Sequence, residues 1–399
     1  MIPYGRQDID DSDIAAVVEV LRSDFLTQGP AVPEFESAVA THAGVAHAVA
    51  VNSATSALHL ACLALGIGPG DLVWTSPITF VASANCALYC GASVDFVDID
   101  PGTYNLDANL LAMKLEEAEK AGRLPKALIP VHLCGQSCDM EAIHALSRRY
   151  GFRIIEDASH AIGGKYRGMP VGSCRFSDIT VFSFHPVKII TTGEGGMALT
   201  NDPVLAAKMA RLRSHGITRD PSEFTGFSEF QSSGFSLHVS EAGPWYYEQL
   251  ELGFNYRMTD IQAALGLSQM RRLEEFVARR ALIAERYDEM LAGLPLTTPH
   301  QSSDASSAWH LYVIRLRLDR CKMSHVESFR ALRAAGIGVN LHYIPVYLQP
   351  YYRNLGFEPG HCPEAESYYS EAISLPMFAG LTEDQQAEVV EALSLIVVA

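Results

Sequence analysis

The sequence predicts an α/β protein: a large domain in which a mainly parallel sheet is sandwiched by helices, followed by a smaller C-terminal α+β domain. Three observations predict it. Short apolar runs alternate with helical stretches from about residue 46 to residue 200; a stretch rich in Gly, Ser and aromatic residues, without period, interrupts at 217 to 256; strand alternation and capped helices resume beyond it. With 399 residues and 48% hydrophobic content the chain can bury a large core, and two domains, 1–256 and 257–399, suit that length.

Taken in order, Ile14, Val17, Val18 and Leu21 mark one face of an opening helix, with Asp11, Ser12 or Asp13 available to cap it. A second helix is expected near Glu34 to His42. Candidate strands follow at Ala46 to Asn52, Leu72 to Ser76, Ser93 to Asp98, Ala127 to His132, Arg153 to Asp157, Ile179 to Phe184 and Gly196 to Thr200. Helices between them include Thr55 to Leu65 and Met140 to Tyr150, ended by Gly66 and Gly151. The segment 217 to 256 reads as a long ordered loop or hairpin, and loops of that length are often functional. Thr259 and Gln262 have capping-box spacing at the head of a helical pattern from about Met258 to Leu294, which is long enough to bend or divide. The small domain then offers a strand at His310 to Leu318, a helix begun by Ser324 and Glu327, a second strand at Ile337 to Tyr343, and a last helix begun by Thr382 and Gln385.

The charge and the cysteines exclude several classes. A net charge of −16 gives no general field for nucleic acid or an anionic membrane surface, so an anionic substrate needs locally placed donors. The opening Met1-Ile2-Pro3-Tyr4-Gly5-Arg6 has no basic stretch followed by an apolar run, and no window is long and apolar enough to span a membrane. A soluble, cytoplasmic protein is expected. Eight cysteines, mostly within apolar segments, read as reduced thiols. The pairs Cys86 with Cys90 and Cys134 with Cys138 lack the closer spacing and the second ligand pair of a zinc site, so no metal is expected.

Four features share one chemistry. Asn52-Ser53-Ala54-Thr55-Ser56 lies where a strand turns into a helix and offers free amides and hydroxyls to an anion. Phe80, after Pro77-Ile78-Thr79, is a flat side chain near a strand end; Asp157 closes the strand Arg153-Ile154-Ile155-Glu156; Lys188 follows Val181-Phe182-Ser183-Phe184 and precedes Thr191-Thr192-Gly193-Glu194-Gly195-Gly196. Each alone has an ordinary structural explanation: a helix cap, a core aromatic, a capping acid, a solvated lysine. In this order they meet what pyridoxal 5'-phosphate requires, namely a lysine for its aldehyde, a carboxylate for its ring nitrogen, phosphate donors and a stacking face. Ser183 would add a hydroxyl to the phosphate site.

The chain resembles, nearly end to end, the DegT/DnrJ/EryC1/StrS-type sugar aminotransferases of pyridoxal-phosphate fold type I. The segments that carry the resemblance are FLTQGP at 25–30, NSATSALHLA at 52–61, EDASHAIGG at 156–164, FSFHPVKIITTGEGG at 182–196 and GFNYRMTDIQAALG at 253–266. Through IPYGRQDI at 2–9, WYYEQLELGFNYR at 245–257 and NLHYIPVYLQPYY at 340–352 it resembles, within that family, transaminases of pseudaminic acid biosynthesis.

The resemblance implies an enzyme that moves the amino group of L-glutamate to C4 of a UDP-linked 4-keto-6-deoxy-N-acetylhexosamine, giving UDP-4-amino-4,6-dideoxy-N-acetyl-β-L-altrosamine. It implies that Lys188 holds the cofactor and Asp157 pairs with the ring nitrogen. His160 stands where many members have glutamine, near the cofactor's phenolic oxygen. Ala54, Thr55 and Ser183 would hold the phosphate, and Asn255 would reach it from a neighbouring subunit, so a homodimer with shared sites is implied.

Tyr4, Arg219, Arg257, His310, His342 and Tyr343 are candidates for the sugar side, since a uridine diphosphate needs cationic or amide donors and a sugar packs on aromatics. His310 and His342 lie in apolar strand patterns and serve equally well as buried structural histidines. The alternatives are an aminotransferase for another UDP- or dTDP-linked keto-sugar, a lyase or dehydratase using the same cofactor residues, and a non-catalytic binding protein. Relatives that remove a hydroxyl group carry histidine at the lysine position, and Lys188 favours transamination.

Overall fold

A computed structural model of the chain describes residues 1–225 and 244–398. Helix α1 (Asp11–Leu21) is capped by Asp10, not by Asp11, Ser12 or Asp13. The Asp10 carboxylate accepts the N–H groups of Ser12 and Asp13, while the Asp13 side chain turns back to the Asp10 N–H and is wholly buried against Arg272 and Gln269. Of the four residues expected on its apolar face, Val17 and Val18 are half-buried, but Ile14 and Leu21 are exposed. Helix α2 (Ala31–Ala43) follows and ends on Gly44 at φ 68°.

The chain then lays down β1 (His47–Val51), α3 (Ala54–Ala64), β2 (Leu72–Thr75), α4 (Ala82–Tyr89), β3 (Ser93–Phe96), α5 (Ala108–Lys120), β4 (Ala127–Ile129), α6 (Met140–Tyr150) and β5 (Arg153–Asp157). A hairpin of β6 (Lys165–Tyr166) and β7 (Met169–Pro170) precedes β8 (Ile179–Ser183), β9 (Gly196–Thr200) and α7 (Pro203–Leu212). Seven of these strands form one sheet in the order β1-β9-β8-β5-β4-β2-β3, in which β9 alone runs antiparallel to its neighbours. Its interior strands read as continuous apolar runs because helices cover both faces: β8 and β9 are buried at every residue. The carboxyl ends of β1, β2, β5 and β8 share one edge, and Gly196, the first residue of β9, pairs there with both Val51 and Ser183.

In the segment read as a loop or hairpin, β10 (Ile217–Thr218) and β11 (Glu248–Gln249) pair antiparallel; the stretch from 226 to 243 lies outside the described residues. The helical pattern from 258 to 294 is two helices, α8 (Asp260–Met270) and α9 (Leu273–Met290), divided at Arg271–Arg272. Thr259 and Gln262 form the capping box of α8. That helix packs on α1 and α2, so its contacts lie with the N-terminal part of the chain.

A second core forms around a three-stranded antiparallel sheet of β12 (Leu296–Thr297), β14 (Tyr312–Leu316) and β15 (Ala372–Leu375), while β13 (Ala305–Ser306) joins the β6–β7 hairpin. Helices α10 (His325–Ala334), α11 (Pro350–Arg353), α12 (Pro363–Glu371) and α13 (Glu383–Val397) complete it. Tyr287, Ile314, Leu332, Ile373 and Leu393 are at its centre, and Ile2 of the N-terminus packs into it.

The strand expected at Ile337 to Tyr343 does not form. Single bridges join Ile337 to Ile2 and Asn340 to Ser374, and the stretch passes over the edge of the small sheet toward the cleft. Ile2 donates its N–H to the Gly336 carbonyl at 2.9 Å and accepts the Gly338 N–H at 2.7 Å, and a Cβ on Gly338 would stand 2.7 Å from the Ile2 carbonyl, so this close crossing needs glycine there. β15, unremarked in the sequence, takes the expected strand's place beside β14.

Candidate active site

The carboxyl edge of the large sheet and the 340–343 stretch enclose a cavity of about 610 Å³. Of the sequence-predicted residues it gathers Tyr4, Ala54, Thr55, Phe80, Asp157, His160, Ser183, Lys188, His310, His342 and Tyr343. Arg219, Arg257 and Asn255 are not among its lining residues. Arg219 is exposed just after β10, Arg257 pairs through its backbone with Val51 on the outer strand, and Asn255 is exposed beside Ser214.

Asp157 projects from the end of β5 and is 5% exposed, so its charge requires partners. Ser159 supplies its Oγ at 2.5 Å and its N–H at 3.1 Å to Oδ1, and Ser83 donates to Oδ2 at 2.6 Å. Because a carboxylate only accepts, the Ser83 proton points to it, and Thr79 Oγ1, 2.7 Å from Ser83 Oγ, donates in turn. The relay Thr79–Ser83–Asp157 fixes the carboxylate plane. Neither hydroxyl was found in the sequence, because α4 meets β5 only through a strand order that no local pattern encodes.

Lys188 lies on the turn after β8 and is half-buried. Burial lowers its amine to about 8, and the charge of Asp157 opposes that shift. Its Nζ is 3.5 Å from His310 Nε2. The histidines around it are held neutral. Burial, then Lys188 and His342, push His160 well below its ordinary value, and burial followed by Lys188 lowers His342 to about 3.

Hydrogen bonds fix two of the tautomers. Cys134 N–H donates to His160 Nδ1 at 3.3 Å, so Nε2 carries the ring proton and donates to Tyr343 Oη at 3.3 Å. Asn340 Nδ2 lies 3.3 Å from His342 Nε2, which therefore accepts, and Nδ1 donates to Ser374 Oγ at 2.8 Å. His310 and His342 are both buried, and both line the cavity.

The anion cradle is built at the start of α3. Ser53 caps the helix by accepting the Ser56 N–H, and the amides of Ala54 and Thr55 have no place in the helical ladder. Both residues line the cavity, with Ser183 across from them. A Cβ on Gly196 would stand 2.4 Å from Ala54 N and 2.5 Å from Ser53 C, so the turn can rest on β9 only because residue 196 is glycine. Phe80 is 59% exposed on the cavity wall, a large apolar ring left without cover in the chain itself, 6.4 Å from the Tyr343 ring.

These groups fit pyridoxal phosphate: helix-start amides and a hydroxyl for the phosphate, a pinned carboxylate for a pyridinium nitrogen, a flat ring, and a lysine with a lowered pKa. Fold and site together define a pyridoxal-phosphate-dependent aminotransferase of fold type I. The chain belongs to the DegT/DnrJ/EryC1/StrS aminotransferase family, whose model matches residues 7–394.

It is 40% identical to the spore coat polysaccharide biosynthesis protein SpsC of Bacillus subtilis, over 99% of this chain and 97% of that protein. Among solved structures it is similar to the putative sugar aminotransferase Spr1654 of Streptococcus pneumoniae (TM-score 0.86, 31% identity, 99% of this chain and 98% of that one). It is also similar to Helicobacter pylori PseC, an aminotransferase involved in the biosynthesis of pseudoaminic acid (TM-score 0.86, 32% identity, 98% of each chain). The protein is a sugar aminotransferase, and a keto-sugar and an amino donor are its substrates.

Proposed function

We propose that this chain transfers the amino group of L-glutamate to C4 of a UDP-linked 4-keto-6-deoxy-N-acetylhexosamine, yielding 2-oxoglutarate and UDP-4-amino-4,6-dideoxy-N-acetyl-β-L-altrosamine. The observation that carries the proposal is the meeting of Lys188, the pinned Asp157 and the Ser53–Thr55 turn in one cavity large enough for a cofactor and part of a sugar, in a chain similar to PseC over nearly its whole length. In the exchange the donor gives up its amino group and takes the sugar's carbonyl oxygen, so the atoms balance with no outside oxidant.

When bound, pyridoxal phosphate supplies an aldehyde that carries the nitrogen and a ring that delocalises electrons. Lys188 moves a proton to and from the substrate carbon through Nζ. Asp157 keeps the ring nitrogen protonated, His160 offers Nε2–H, and the amides of Ala54 and Thr55 with Ser183 bind the phosphate. The sugar is assigned to Tyr4, His310, His342 and Tyr343, a reading supported by their lining the same cavity.

The proposed assembly is a homodimer in which Asn255 serves the other subunit's site, working in the cytoplasm, where thiols such as its free cysteines stay reduced. The proposed division falls at 1–256 and 257–399, with α8 of the second part packed back on α1 and α2 of the first.

The test is the visible absorption of the holoprotein, read before and after excess L-glutamate and then after UDP-linked or dTDP-linked 4-keto-sugars in separate cuvettes. Loss of the yellow band with glutamate and its return with the UDP-sugar alone is expected. Return with only the dTDP-sugar would replace the nucleotide, and an unchanged band would remove the transaminase reading.

A further inference from the structure

Arg280 is a buried cation with no task in the chemistry above. It sits on α9 at 2% exposure, and among the described residues no carboxylate pairs with it. Its Nη1 lies 3.2 Å from the carbonyl of Trp309, 3.3 Å from that of His310 and 3.1 Å from that of Met377. A guanidinium out of water needs dipoles in place of solvent, and three carbonyls supply them to Nη1, while Nε is buried without a hydrogen-bond partner. What they belong to matters: two are the backbone that carries His310 to Lys188.

That backbone does not hold its shape unaided. Trp309, a bulky non-glycine residue, has φ 50° immediately before His310. Such a conformation persists only where the surroundings over-determine it. Gly135 packs against it, with room for no side chain, since a Cβ there would stand 2.8 Å from Trp309 N and 3.1 Å from His310 N. Arg280 holds its carbonyls.

The groups that bear on the His310 ring are Lys188 on the turn after β8, His160 after β5 with ring centroids 4.4 Å apart, His342 on the 340–343 stretch and Arg280 on α9. All are neutral or cationic; the nearby carboxylate, Asp157, acts on Lys188. His310 Nδ1 is buried without a hydrogen-bond partner. A proton on Nδ1 would thus be an unmatched buried N–H, whereas a lone pair there is the less costly orphan. The ring proton belongs on Nε2, which faces the Lys188 amine.

We propose that Arg280 is a positioning residue: it fixes His310 as the neutral Nε2–H tautomer, which donates to the unprotonated Lys188 amine and disfavours the ammonium. An ammonium would have to donate to Nε2, forcing the ring proton onto the partnerless Nδ1. This rests on the role proposed for Lys188, but the experiment does not need turnover.

In the full-length chain freed of cofactor, the midpoint of Lys188 is read from the pH dependence of its reductive methylation, followed on the Lys188 peptide by mass spectrometry. Arg280→Met is expected to raise that midpoint by about one pH unit. His310→Asn should raise it as well, and adding Arg280→Met to His310→Asn should move it no further. Arg280→Lys, which keeps a cation near the carbonyls, should recover part of the shift. An equal shift from Arg280→Met with and without His310 would overturn the proposal, because Arg280 would then act on the amine directly.

Should Arg280→Met not fold, the unsubstituted protein decides. With ¹⁵N-labelled histidine, and His310→Asn to assign the signal, His310 should give an Nε2–H, Nδ1-unprotonated ring unchanged from about pH 6 to pH 8. A proton on Nδ1, or a ring titrating near its ordinary value, would sink it. Failure of the sugar assignment would leave all these readings untouched.

Discussion

An ordinary lysine amine, with a pKa near 10.4, is almost wholly ammonium at neutral pH and cannot attack an aldehyde. Burial at the mouth of β8 lowers Lys188 to about 8, so a useful fraction is free amine under physiological conditions. The reactive form is about half of the amine near pH 8, is lost as pH falls below it and becomes dominant above it. Mixing the cofactor-free chain with pyridoxal phosphate should therefore give a yellow species whose rate of formation falls about tenfold per pH unit on the acid side and levels off above about pH 8. Lys188→Ala should form no species that borohydride can fix to the chain. A flat profile between pH 6 and 9 would mean that the amine is not what limits the reaction. The Asp157 carboxylate accepts the hydroxyl protons of Ser83 and Ser159, which fix its position at the end of β5.

At the scale of elements, the phosphate cradle depends on how closely α3 approaches β9. Gly196→Ala would place a Cβ against the Ser53–Ala54 peptide at well under contact distance, and what it meets is backbone, with no flexible side chain to yield. The expected cost is about 1–3 kcal/mol of stability, read by urea unfolding, with at least a tenfold weaker hold on pyridoxal phosphate in a spectrophotometric titration. Unchanged affinity would remove the cradle from the phosphate site.

The same elements show what a linear sequence can convey. The large-sheet strands were legible because burial on both faces writes them as unbroken apolar runs closed by Gly, Asp or Ser, and the turns after β1, β5 and β8 carried residues whose chemistry matched a single cofactor. The stretch from 337 to 343 has the same apolar look, yet it is buried by crossing the N-terminal segment at Gly338, a contact between positions some 330 residues apart that no local pattern reports. Thr79, Ser83 and Arg280 escaped for a like reason. Each is an unremarkable helix or turn residue until the strand order brings it beside Asp157 or His310.

For the whole molecule the question is whether one chain makes a complete site. Asn255 carries the one expected phosphate contact that this chain does not place in its own cavity: it is exposed, and Trp245, Tyr247 and Leu252, a few residues before it, are apolar side chains at 80%, 52% and 84% exposure. Exposed apolar groups next to a polar residue without a role in its own chain suit a symmetric interface, where one patch both gives and receives. If Asn255 serves the partner's site, the lesions Lys188→Ala and Asn255→Ala complement each other. A dimer of one chain of each kind has one site carrying both lesions and one carrying neither. Equal mixing and re-pairing makes half of the dimers hybrid, each with one of its two sites intact, so activity should return to about a quarter of the unsubstituted value, at a cofactor level where each parent variant is nearly inactive. If Asn255 serves its own chain, every site in the mixture carries one lesion and re-pairing restores nothing. Sedimentation before and after mixing separates failure to re-pair from failure to complement, so a silent mixture that has formed hybrids would show the site to be complete within one subunit.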